Sequence, residues 1–357
     1  MIMKIESYLV RMPLKSKFTI STGSTDDYEG VFVVLSEEHM GIKGYGEAVP
    51  SPRVTGETPE GVVGKVIENM ERIVSEGYSN IVNSPDVLKG SAWAGVDIAL
   101  WDFILKAMDM RVDQYFPIEK KSIRTSITIA EDCLSYVPLA ARRAVEDYDV
   151  KELKIKLMGD VERDIARVRV IREMYDDIGI RVDANTAYDY KRARKVLEAI
   201  RRYDIEFIEQ PMPVGHEKEM LQLQRETDVP VMLDESMHTV VDARKFADMG
   251  FTHMNIKLMK CGGITGALDI LELARERKLT MQVGCMIESH IGITAGTIVA
   301  LLKGIVKYAD LDGITFLPAN YGINGGVKIE KGEIVLESKG PGLGYSVDDE
   351  IFKKTEK

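Results

Sequence analysis

Cysteine is scarce. Cys133, Cys261 and Cys285 are odd in number and far apart in a chain of 357 residues, which excludes a disulfide framework. A reducing, cytoplasmic setting is expected. Positive charge is not in surplus either: 47 Lys and Arg stand against 57 Asp and Glu, a formal charge of −10. The basic footprint of a nucleic-acid binder is missing, so no nucleic-acid partner is expected. No apolar run approaches the ~18 residues of a membrane span, and no membrane partner is expected. Met1 to Val10 alternates polar and apolar residues and lacks the apolar core of a signal peptide. Low-complexity segments and basic runs are absent. What remains is an ordinary globular composition, 45% hydrophobic and 29% charged. The length suits two domains, or one large barrel with an appendage.

The first part of the chain reads as strands followed by helices, an α+β unit. Lys4 to Arg11, Gly30 to Leu35 and Gly41 to Ala48 have strand character. Pro13 to Gly30 reads as the loop between the first two. In Gly95 to Met110, the residues Val96, Leu100, Phe103, Ile104 and Ala107 recur at helical spacing and define one apolar face. Beyond Arg124 short β-like runs alternate with helical patterns: Thr125–Ile129, Leu153–Leu157, Ile180–Asp183, Phe207–Glu209, Val231–Asp234, His253–Leu258, Thr280–Val283 and Ala309–Ile314. Eight βα units are the signature of a (β/α)8 barrel. A doubly wound sheet is the rival, but no glycine-rich dinucleotide turn follows the first strand. The tail, with strand-like runs around Gly332, is expected to return to the N-terminal domain. The expected organisation is thus a domain over 1–120, a barrel over 121–322 and a returning tail over 323–357.

Chemistry is written where polar residues interrupt the barrel strands. In Leu153 to Leu157 the period of two puts Leu153, Ile155 and Leu157 on one face and Lys154 and Lys156 on the other. The apolar face belongs against the helices, so both lysines point inward. Asp183, Glu209 and Asp234 then end three successive strands. Each could serve as a helix cap, but three in register at strand tips mark the face where barrel enzymes place their sites. Three carboxylates without a cation repel and raise one another's pKa. A hard divalent ion such as Mg²⁺ removes the conflict. One strand later Asn255 and Lys257 share the inward face. The separations along Lys156, Asp183, Glu209, Asp234 and Lys257 are 27, 26, 25 and 23 residues, one βα unit each. Two lysines therefore flank a metal centre. That arrangement suits removal of a proton next to a carboxylate, with the metal stabilising ene-diolate charge. A lysine lowered toward pKa ~7–8 beside the metal would act as the base, the other as the acid.

These residues resemble the enolase superfamily, whose sites are a standard example of a lysine base set beside Mg²⁺, and within it the muconate-lactonizing-enzyme subgroup. The resemblance runs through nearly the whole chain: GYGEAVP at 44–50, VDIALWDFILKA at 96–107, Lys154-x-Lys156, VDAN at 182–185, IEQP at 208–211, DES at 234–236, NIK at 255–257 and GCMIES at 284–289. It implies a modified (β/α)8 TIM barrel with an N-terminal α+β capping domain completed by the C-terminal tail. It also implies one Mg²⁺ per subunit on Asp183, Glu209 and Asp234, and Lys156 and Lys257 as the acid/base pair. Thr128, Lys154 and Cys285 match substrate-contacting positions, and a homo-oligomer is expected.

The eighth strand narrows the reading. Asp310 and Asp312 in ADLDG are expected on one inward face. Such a pair resembles the ammonium clamp of dipeptide epimerases, which invert the Cα of the C-terminal residue of an L,L-dipeptide. Muconate cycloisomerases and o-succinylbenzoate synthases act on substrates without an ammonium and are the alternative. Family members that prefer a glutamate side chain tend to carry an arginine in the loop after the first strand. Gly23 stands in that place here, which argues against an Ala-Glu preference. The nearby Asp26, Asp27 and Glu29 suit cationic side chains or a solvated loop. Of five histidines, only His290 is expected near the pocket. The role of Glu288 stays open between a supporting contact and a salt bridge.

Overall fold

The computed structural model describes residues 3–37, 39–76, 89–302 and 304–354. Three strands, β1 (Met3–Ile20), β2 (Gly23–Glu37) and β3 (Ile42–Ala48), pair antiparallel in that order. Much of Pro13–Gly30, expected as a loop, is strand. β1 and β2 run on as a hairpin whose pairing resumes from Phe18–Thr25 to Ile20–Gly23, with irregular register between Pro13 and Phe18. Pairing gives the backbone the partners that an open loop would seek from water.

The helix Ser91–Ala107 lies between this sheet and the barrel. Val96, Leu100 and Phe103 bury into the core of the sheet, as their spacing predicts. Ile104 is 36% exposed, however, while Ala94, Ile98 and Leu105 bury into the barrel core. A helix covered on two sides has no single apolar stripe. Its backbone also comes unusually close to β3. A Cβ at Gly46 would lie 1.9 Å from Gly95 O, so only glycine fits there.

After β4 (Ser122–Arg124) come eight parallel strands. They are β5 (Ile127–Ile129), β6 (Glu152–Lys156), β7 (Gly179–Asp183), β8 (Ile205–Glu209), β9 (Val231–Leu233), β10 (His253–Lys257), β11 (Thr280–Gly284) and β12 (Val306–Asp310). Each is hydrogen-bonded to its neighbours in chain order. The barrel is nearly closed, through a bridge between Thr125 and Ala309 and a bond from Ser126 N to Ala309 O of 3.1 Å. β12 starts and stops earlier than expected. It ends at Asp310, and Gly313–Thr315 forms a 3₁₀ turn, so Asp312 sits beyond the strand. Helix capping falls to Asp160, Asp189, Thr239 and Ser289, which leaves Asp183, Glu209 and Asp234 free for the barrel mouth.

The tail strands β13 (Ile323–Glu330), β14 (Glu333–Glu337) and β15 (Tyr345–Val347) make a sheet in the order β15-β13-β14-β4. The tail also reaches the N-terminal sheet and helix. Leu343 N donates to Asp102 Oδ1 at 3.0 Å, Tyr345 OH donates to Tyr45 O at 2.7 Å, and Lys43 pairs with Asp349 at 2.5 Å. No described helix is long and apolar enough to cross a membrane.

Candidate active site

A cavity of about 670 Å³ opens at the C-terminal ends of the barrel strands, under the β1–β2 hairpin. Its size suits a small molecule. Two contacts seat the hairpin across the mouth. On the β7 side Ser21 Oγ donates to Ala184 O and Asn185 O at 3.1 and 3.0 Å. On the β12 side Lys15 N donates to Phe316 O at 2.9 Å.

Of the residues singled out in the sequence, Thr128, Lys154, Lys156, Asp234, Lys257, Cys285, Asp310 and Asp312 line the cavity. Asp183 and Glu209 are fully buried and join the site through lysine. Lys154 Nζ lies 3.0 Å from Asp183 Oδ2, 3.0 Å from Glu209 Oε2 and 2.7 Å from Asp310 Oδ2. Lys156 donates to Asp183 Oδ2 at 2.6 Å, and Lys257 to Asp234 Oδ2 at 2.8 Å. The period-two alternation of β6 places both its lysines inside, while Leu153 and Ile155 bury in the outer core. His290 takes no part in the lining. Its backbone N–H donates to the Tyr321 hydroxyl at 3.0 Å.

Several functional residues were missed by the sequence reading. Lys260 is fully buried and donates to Asp234 Oδ1 and Asp234 O, both at 2.6 Å, and to Asn255 O at 3.1 Å. Its signal was a lone charge in the apolar run LMKC. Glu209 is held by Asn255 Nδ2 at 2.9 Å, from the inward face the sequence assigns to Asn255, and by Gln282 Nε2 at 3.0 Å, which the sequence reading did not single out. Asp183 Oδ1 accepts from Asn185 N at 2.9 Å. Glu235, inside the DES motif, is buried at the cavity. Arg53 lines the rim and donates to Thr22 Oγ1 at 2.9 Å. A Cβ at Gly23 would lie 2.5 Å from its guanidinium, so Gly23 leaves the space that Arg53 fills.

Electrostatics follow from this packing. Burial pushes Glu235 up to about 8, reinforced by the charge of Asp234. Burial and then Asp310 push Asp312 up to about 6. Burial also opposes ionisation of Asp234, but Lys257 and Lys260 outweigh it and hold that carboxyl well below its usual range. For Lys257, burial pulls downward and Asp234 wins, so the ammonium is held above its ordinary value. Each oxygen of Asp234 lies against an ammonium, Oδ2 against Lys257 and Oδ1 against Lys260. Burial pushes the Cys285 thiol well up, which makes it an inert wall residue.

The donor set fits a divalent cation. Six carboxyls (Asp183, Glu209, Asp234, Glu235, Asp310 and Asp312) meet four ammonium groups (Lys154, Lys156, Lys257 and Lys260), leaving an excess of two negative charges at full ionisation. Asn185 Oδ1 and Glu235 Oε2 are buried without a hydrogen-bond partner, as expected of oxygens available to a ligand. Among the described residues no three carboxylates are gathered as a ready metal cage. Lys154 bridges Asp183 and Glu209 instead.

Two family models match the chain. "Enolase C-terminal domain-like" covers residues 137–351, and "Mandelate racemase / muconate lactonizing enzyme, N-terminal domain" covers residues 4–116. The chain belongs to the enolase superfamily, in its muconate-lactonizing-enzyme subgroup. Among its relatives is the hydrophobic dipeptide epimerase of Enterococcus faecalis, 32% identical over 96% of this chain and 100% of that protein. Another is the N-succinyl-L-Arg/Lys racemase of Bacillus cereus, 29% identical over 98% of this chain and 96% of that protein. The crystal structure of a dipeptide epimerase from Cytophaga hutchinsonii, complexed with Mg and the dipeptide D-Ala-L-Val, superposes with a TM-score of 0.88 at 26% identity. It covers 100% of this chain and 99% of that one.

Proposed function

We propose that the chain is an Mg²⁺-dependent dipeptide epimerase that inverts the Cα of the C-terminal residue of an L,L-dipeptide by two-base 1,1-proton transfer. That it is an isomerase follows from its family relatives. The observation that carries the finer reading is the placement of Lys156 and Lys257 on opposed strands of one cavity. Each can address one face of a Cα held between them. Asp183, Glu209 and Asp234 would hold the Mg²⁺, which supplies positive charge for a substrate carboxylate as its α-proton leaves. Lys154 adds a fixed ammonium at the same place. Asp310 and Asp312 line the same cavity and suit the substrate ammonium. A lyase or cycloisomerase acting on substrates without an ammonium has no use for that acidic end. The domain extents 1–120, 121–322 and 323–357, a cytoplasmic setting and a homo-oligomer belong to the same proposal.

The test is solvent deuterium exchange into a library of L,L-dipeptides with Mg²⁺ present, read by mass spectrometry. Exchange at the Cα of the C-terminal residue with inversion supports the reading. Elimination or ring-opening products without exchange favour the lyase.

A further inference from the structure

Glu288 is a buried carboxyl that proton transfer at the substrate does not use. It ends the short segment Gly284 to Glu288, whose Cys285, Met286 and Ile287 form one wall of the cavity. Its Oε1 accepts from Met286 N at 2.8 Å, so the side chain folds that wall back on itself. Its Oε2 faces a second carboxylate. A Cβ at Gly292 would lie 2.6 Å from Glu288 Oε2 and 2.9 Å from Glu47 Oε2. Both oxygens border the space that the missing side chain of Gly292 leaves open.

Glu47 arrives from β3, on the other domain, and is fully buried. Tyr28 OH and Ser289 N donate to its Oε1 at 2.5 and 2.8 Å. Ser289 Oγ and Gly292 N donate to its Oε2, both at 2.7 Å. Two of these are amides at the N-terminus of the helix His290–Ala300, where the backbone favours an anion. Glu47 thus has four donors that stabilise its charge, and Glu288 has one. Two ionised carboxylates at this spacing in a buried site repel strongly, and a single proton relieves the conflict.

The groups facing Glu288 from neighbouring elements do not supply an ion pair. They are Tyr28 on β2, Glu47 on β3 and Lys257 on β10. Cys285 lies on its own segment, and His290 follows it. Burial and then the charge of Glu47 push Glu288 up to about 8, against the Met286 amide and a smaller effect of Lys257.

We propose that Glu288 works as a neutral carboxylic acid beside Glu47, and that this pair fastens the N-terminal sheet to the cavity wall Cys285–Ile287. Glu288 is then a positioning residue for whatever the cavity binds, independent of the identity of the substrate. Loss of the proton places two charges in one buried site and loosens the joint. The sign follows from the raised value. The neutral acid favours the folded joint fully below about 4.5, and that contribution is lost as the pH climbs to about 8.

Hydrogen exchange of the full-length chain across this range tests the pair without a substrate. In the wild type the Ser289 and Gly292 amides should lose protection, beyond the intrinsic rise of exchange with pH, from an onset at about pH 4.5 until the loss levels off at about pH 8. The expected loss is about tenfold per pH unit between those two points. Glu288→Gln keeps a donor toward Glu47 and cannot ionise, so the onset should vanish. In the infrared, one protonated-carboxyl band titrating in this range should disappear with the same substitution. In the epimerisation assay the transition should raise KM more than it lowers kcat. If Glu288→Gln does not fold, Glu47→Gln removes the like charge and should move the levelling-off to lower pH. A pH dependence unchanged in either variant, or none in the wild type, overturns the proposal. Failure of dipeptide turnover alone, with the exchange result as expected, would overturn the epimerase reading and leave this one standing.

Discussion

Lys156 and Lys257 face each other across the barrel axis. They sit on β6 and β10, four strands apart among eight, and each is tied to a different carboxylate: Lys156 to Asp183 at 2.6 Å and Lys257 to Asp234 at 2.8 Å. Opposed bases predict a complementary exchange pattern. Lys156→Ala should stop epimerisation in both directions, because each direction needs one base and one acid. Lys257 should still wash deuterium into the isomer whose α-hydrogen it faces, without inversion. Lys257→Ala should give the same pattern with the other isomer. NMR in D₂O reads both. A single mutant that still epimerises near the wild-type rate would show that one base suffices.

Metal dependence follows from the surplus of carboxyls over ammonium groups. Chelation should abolish turnover and added Mg²⁺ should restore it. Asp234→Asn should weaken Mg²⁺ binding measured by calorimetry, since Asp234 both lines the cavity and holds Lys257 and Lys260. Full turnover in metal-free buffer would refute the metal assignment.

The acidic end of the cavity should read a free ammonium. Charge-assisted hydrogen bonds contribute about 1.5–3 kcal/mol each, so N-acetylated dipeptides should be at least about tenfold poorer substrates in kcat/KM. The two aspartates are unequal. Asp310 already accepts from Lys154 and from Ser126 Oγ, at 2.7 and 2.9 Å, and burial is outweighed there by Lys154 and Lys156, which keep it ionised. Asp312, accepting from Thr128 N at 2.6 Å, is pushed up to about 6. The cost of Asp312→Asn should therefore shrink as the pH falls below about 6, while that of Asp310→Asn should not. Equal rates on free and acetylated dipeptides would revive the lyase reading.

Side-chain preference should depend on Arg53. The missing arginine at position 23 argued against acidic side chains, but the guanidinium of Arg53 fills the space beside Gly23. Asp27 and Glu29 line the same cavity, and Asp27 pairs with Pro13, farther from the hairpin tip than Gly23. A carboxylate-bearing C-terminal side chain should thus be favoured over its amide isostere. Because Arg53 is exposed, the preference should be only about fivefold. Arg53→Gln should bring the kcat/KM ratio of L-Ala-L-Glu to L-Ala-L-Gln near unity, and Gly23→Ala should lower it by displacing the guanidinium. A ratio unmoved by Arg53→Gln would assign the preference elsewhere.

The sequence by itself determined the barrel and the row of groups at its mouth. Alternation along β6 fixes which lysines point inward, and a regular βα unit brings Asp183, Glu209, Asp234 and Lys257 to successive strand ends. Both are local periodicities, set by backbone geometry within a few residues. Only the tertiary structure decided what depends on distant segments meeting. Asp312 lies past the end of β12, because the strand stops where its pairing with β11 stops. The helix Ser91–Ala107 is buried on two sides, which blurs the single stripe its pattern suggested. Arg53 reaches Gly23, Lys260 turns back onto Asp234, and Glu47 crosses to Ser289 over 242 positions of chain. Contacts between segments so far apart leave no periodic trace in the sequence, because only tertiary packing brings the groups together.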